Sequence, residues 1–160
     1  MAINNLQIGD LVLTGFCYGY TNINNGEICK LPLMVTEVKN IIKDKVSLCK
    51  VINMPETYVD INDIHGIPLN QYILDLLGFK VIDKNNALRP GAPNFNGTVY
   101  EAQINGLKIH IIKDNNSYEL CRSKAAPTIP VNYVHDIQNS MKIDGKPLKI
   151  NYMLFYQDAK

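Results

Sequence analysis

The sequence predicts a strand-dominated α+β fold, and three observations carry the prediction. Short runs of alternating apolar residues recur along the chain, separated by Gly, Asn and Asp. An Asn-Gly pair at 105–106 divides two such runs as a hairpin turn would. Only two stretches, one after Asn70 and one after Asn132, have the apolar spacing of a helix. The expected architecture is an N-terminal SH3-like small barrel or curled sheet, followed by an antiparallel meander with two short helices. All 160 residues are expected in a single domain, with sub-lobes over 1–66 and 67–160 and a Pro/Gly/Asn-rich loop at 84–97.

Each element has a local reason. Leu6 to Leu13 alternates around a Gly9-Asp10 break, which reads as a first strand entered through a tight turn. Residues 28–38 and 46–53 are two further β-rich runs. Asn70 is a good helix N-cap, Ile73, Leu74 and Leu77 form an apolar stripe, and Gly78 sits where a left-handed C-terminal residue is wanted. Phe79 follows, placed to pack back on that helix. Pairing about Asn105-Gly106 sets Ile104 opposite Leu107, Ala102 opposite Ile109 and Tyr100 opposite Ile111, an apolar face. The reverse face pairs Gln103 with Lys108 and Glu101 with His110. A third strand, Ser117 to Arg122, follows the turn at Asp114-Asn115-Asn116. After Pro127 and Pro130, Asn132 to Met141 reads as the second helix, with Asn132 as N-cap and Tyr133, Val134, Ile137 and Met141 on one face. Asp144-Gly145 ends or turns that segment, and Leu148 to Tyr156 alternates as a last strand would.

Composition narrows the class. With 46% hydrophobic and 19% charged residues the chain has enough apolar surface to fold. A formal net charge of +1 gives no bulk attraction to nucleic acid or to lipid headgroups. Only Arg89 and Arg122 are available for bidentate base or phosphate recognition, so sequence-specific nucleic-acid reading is disfavoured. No apolar run approaches the length of a membrane-spanning helix, and Met1 to Asp10 lacks the features of a secretory signal. These features together read as a soluble, intracellular protein. Cys17, Cys29, Cys49 and Cys121 form no C-x-x-C pair and are expected to be reduced. His65, His110 and His135 lie on separate elements, so neither a metal nor a cofactor is expected.

Three groups of side chains are candidates for function. Phe16, Tyr18 and Tyr20 alternate between glycines; in an extended segment they point one way, as a flat platform for a partner or as the inner face of a strand. His135, Gln138 and Asn139 place polar groups at neighbouring positions of the second helix. They read either as a ligand- or partner-contacting face, or as buried groups that cap neighbouring strands and loops. His110 opposite Glu101 reads as a base with an orienting carboxylate, or as an ordinary cross-strand pair. The sequence places no nucleophile beside it and contains no phosphate-binding loop or nucleophile elbow.

Three segments, Leu6-Gln7-Ile8-Gly9-Asp10-Leu11-Val12, Ile67-Pro68-Leu69 with Ile73-Leu74 and Leu77-Gly78-Phe79, and Tyr133-Val134-His135-Asp136-Ile137-Gln138-Asn139, together resemble a family of small proteins from Bacteroidetes, their prophages and phages. That family's pattern is an "I-P-L-T…L-L…G-F" helix followed by a "Y-V-H-x-L-Q-N" helix. Here the segment after Asn139 is thinner in apolar residues, the loop at 84–97 looks inserted, and a tail runs on to Lys160. The resemblance implies a phage or mobile-element origin and assigns no activity.

The expected function is therefore that of a non-enzymatic binding or interaction protein of phage or prophage origin. It would act on a macromolecular partner, a protein first, through Phe16, Tyr18, Tyr20, His135, Gln138 and Asn139. The alternatives are a counter-defence protein that binds a small nucleotide signal, a minor virion component, and an enzyme using His135 or His110.

Overall fold

A computed structural model describes residues 5–14, 20–21, 28–29, 34–48, 58–82, 97–122, 127–151 and 154–155. The fold is α+β and strand-dominated, with two five-stranded antiparallel sheets, a two-stranded ribbon and two short helices among the described residues. The chain divides into two compact units, Met1–Ile67 and Pro68–Lys160.

The first unit holds β1 (Leu11–Thr14), β2 (Tyr20–Thr21), β3 (Ile28–Cys29), β4 (Met34–Ile42), β5 (Lys45–Leu48), β6 (Tyr58–Asp60) and β7 (Ile64–Gly66). β2 and β3 pair as the ribbon, and the other five form one sheet in the order β6-β5-β4-β1-β7. The entry to β1 is the expected Gly-Asp turn. Gly9 has φ of 99°, the Asp10 carboxylate accepts from the Gln7 N–H at 2.7 Å, and the Asp10 carbonyl accepts from Val38 at 2.9 Å. Val12, Val38, Val46 and Ile64 form the buried cluster, flanked by Leu6, Ile41, Val59 and Ile61.

The two edge strands of this sheet are consecutive in the chain. Only the 3-10 turn Ile61–Asp63 separates β6 from β7. Such a turn advances about 6 Å over three residues, whereas five flat strands would span about 19 Å between their outer members. The sheet therefore curls until its edges approach. Asp60 caps the turn by accepting from the Asn62 N–H at 2.9 Å, and Lys45 lies 3.3 Å from the same carboxylate. The Asn62 N–H first, and then Lys45, hold the Asp60 carboxyl below its ordinary range.

The second unit holds α1 (Gln71–Leu76), β8 (Lys80–Ile82), β9 (Thr98–Ile104), β10 (Leu107–Asp114), β11 (Ser117–Cys121), β12 (Ile129–Pro130) and α2 (Val134–Ser140). Its sheet is a pure meander, β12-β11-β10-β9-β8. Asn105 and Gly106 both have positive φ, 49° and 79°, which a type I′ hairpin requires. The register follows the sequence expectation at each pair named above, from Leu107–Ile104 to Ile111–Tyr100. Tyr100, Ala102, Ile109 and Ile111 are buried, and the Tyr100 hydroxyl donates to Gln71 Oε1 at 2.8 Å, which sets α1 on that face. The reverse face is polar at Gln103, Lys108, Glu101 and His110. Farther along, Val99, Ile112 and Cys121 form a second buried cluster with Ile82 against it.

Asn70 caps α1 through the Ile73 N–H, 2.9 Å away. At the other end Gly78, with φ of 87°, lets its own N–H reach the Asp75 carbonyl and the Phe79 N–H reach Leu74. This closed C-terminal turn buries Phe79 beside Leu74.

Several expectations change. The run 28–38 divides between β3 and β4, which continues to Ile42, and the run 46–53 contributes to β5, Lys45–Leu48. The second helix begins one residue later than expected, with Tyr133 rather than Asn132 as N-cap, because the Asp136 carboxylate accepts from the N–H groups of both Asn132 and Tyr133. The last strand does not form over the described residues. Residues 147–151 carry neither helix nor strand, and Leu154-Phe155 lie in a helical turn. The backbone groups of Leu148 are engaged instead by Gln138, whose carbonyl accepts from the Leu148 N–H and whose Nε2 donates to the Leu148 carbonyl, both at 2.9 Å.

Candidate functional site

Phe16 and Tyr18 lie outside the described residues. Tyr20 opens β2 opposite Cys29, and its side chain lies outside them as well. The site is accordingly built around α2.

The two helix starts are tied together. Pro68 and Tyr133 form an antiparallel bridge, and the Leu69 N–H donates to the Asn132 carbonyl at 2.9 Å. The Ile67-Pro68-Leu69 and Tyr133–Asn139 segments, far apart in sequence, are thus neighbours, and the backbone bridge gives each a reason to be where it is.

Within α2 the polar residues divide. Gln138 is fully buried and clamps Leu148, so it works as a structural group inside the unit. His135 is 3% exposed, and Asn139 is half-buried. The two readings of this polar face therefore separate by residue, with Gln138 on the capping side. The His135 ring stacks on Tyr133, centroids 5.4 Å apart and planes 10° from parallel. Its Nε2 is 3.6 Å from Asp136 Oδ1, longer than a hydrogen bond. Its Nδ1 is buried with no hydrogen-bond partner among the described residues. An unmade bond of this kind costs about 1–3 kcal/mol.

Tyr133 is the residue that sequence reasoning placed wrongly. Expected on the core face, it is 36% exposed. One face of its ring rests on His135, its N–H is fixed by Asp136 at 2.9 Å, and its backbone is bridged to Pro68. The sequence pointed the other way, since asparagine is a preferred N-cap residue and tyrosine is not.

Glu101 and His110 meet as the pairing implied, with His110 Nε2 2.7 Å from Glu101 Oε2 and both side chains partly exposed. The register adds two neighbours the sequence reading did not assemble. Lys80 lies opposite Glu101, and Cys121 lies opposite His110, so that four side chains form one row across β8, β9, β10 and β11. A thiol beside a histidine that is oriented by a carboxylate is the order used in nucleophilic catalysis. Here, however, the thiol is buried among Val99 and Ile112. Among the described residues no three of His, Cys, Asp and Glu are grouped to hold a metal ion, and no helix is long and apolar enough to cross a membrane.

Comparison of the chain with protein-family models, with curated proteins and with solved structures finds no match.

Proposed function

We propose that this chain is a non-enzymatic binding protein of phage or prophage origin that engages a macromolecular partner, a protein first, and that Tyr133 anchors the contact. One observation carries the reading: Tyr133 is exposed, yet its ring is stacked and its backbone is held on both sides. An aromatic side chain fixed before binding supplies contact area at little further cost in conformational entropy, which is why tyrosines recur among the anchors of interfaces. His135 enters as the support beneath that ring, Gln138 as the clamp behind it, and Asn139 as a flanking polar group. Phe16, Tyr18 and Tyr20 remain a second proposed contact group in the first unit, which we infer to be a small SH3-like barrel. The likeness of the Ile67-Pro68-Leu69 and Tyr133–Asn139 segments to the phage-borne family supports the origin, and a host-cytoplasmic or virion setting follows from that origin.

The test is quantitative affinity capture from a Bacteroidetes lysate with the wild type, Tyr133→Ala and the exposed-tyrosine control Tyr58→Ala, each shown to be folded by circular dichroism. A specific partner retained by wild type and Tyr58→Ala and lost at least tenfold by Tyr133→Ala is the expected result. Equal capture by all three removes Tyr133 as the anchor.

The unpartnered His135 Nδ1 favours a second reading, a small ligand whose donor completes that nitrogen. Nucleotides that raise the melting temperature of the wild type but not of His135→Ala would select it. A flat response across a nucleotide panel leaves the macromolecular partner.

A further inference from the structure

We draw no further inference here: the strongest candidate, the cross-strand row of Lys80, Glu101, His110 and Cys121 on the reverse face of the second sheet, carries nothing because its thiol is buried in the Val99–Ile112 cluster and only its register beside His110 points to any reactant.

Discussion

The two five-stranded sheets solve the same problem in opposite ways. An edge strand presents unpaired N–H and C=O groups, which invite pairing with another chain. In the first unit the edges β6 and β7 are joined by three residues, so the sheet bends on itself and its rims come together. In the second unit each strand pairs only with its neighbours in sequence, and the edges stay apart. Those edges are blunted locally: β12 is two residues long and ends in Pro130, which has no N–H to offer, and β8 is three residues long and begins with Lys80. A curled sheet encloses its core by its own curvature. An open meander needs other elements laid over it: α1 is set on it through the Tyr100–Gln71 hydrogen bond, and the segment that Gln138 clamps to α2 is expected to serve as another.

The largest test of that contrast is Leu148→Ala. Leu148 is fully buried in the clamped segment, and its truncation is expected to cost about 2–5 kcal/mol in urea denaturation. Amide exchange in β9 to β11 should accelerate in step. Wild-type protection there would mean that the segment is not part of the cover. Gln138→Ala is the next largest. It leaves the buried Leu148 carbonyl without its donor, at an expected cost of about 1–3 kcal/mol. Little or no change in the urea midpoint would show the clamp to be dispensable.

The smallest effect sharpens the other side of the comparison. Asp60 is partly exposed, and its carboxyl is held below the ordinary 3.8 when folded. The charged form is therefore the one favoured by the fold. Its contribution is present above that ordinary value and disappears as pH falls through the lowered folded value. The protection factor of the Asn62 amide, with the intrinsic pH dependence of exchange divided out, should fall on acidification over that window in the wild type. In Asp60→Asn this acid-dependent component should be missing; an identical fall in both proteins would place the effect elsewhere.

Local chemistry made much of this structure legible. Asn105-Gly106 needs two positive φ angles, and only one hairpin register then buries the apolar set. Asn70 and Gly78 announce both ends of α1. The pairing of β1 with β7, by contrast, joins residues with most of the first unit between them, and no local pattern encodes it. The tail misled for a physical reason. Leu148 and Ile150 alternate as in a strand and both are buried, but the groups that satisfy the Leu148 backbone belong to a helix residue ten positions away. For the candidate site, the sequence singled out the right helix. It could not tell a glutamine that holds the molecule together from a tyrosine that faces outward, because the first depends on a tail segment ten residues on and the second on where one carboxylate and one backbone bridge fall.

The bridge between Pro68 and Tyr133 also sets an order of events during folding. It closes a loop that contains α1 and the entire meander, and closing a flexible loop of that length early is entropically unfavourable. The successive hairpins, each with near neighbours to pair, are expected to form first and bring positions 68 and 133 within reach. On that order Tyr133 reaches its final pose only once the meander has assembled, and the recognition proposed for this ring would then favour mature copies over nascent ones.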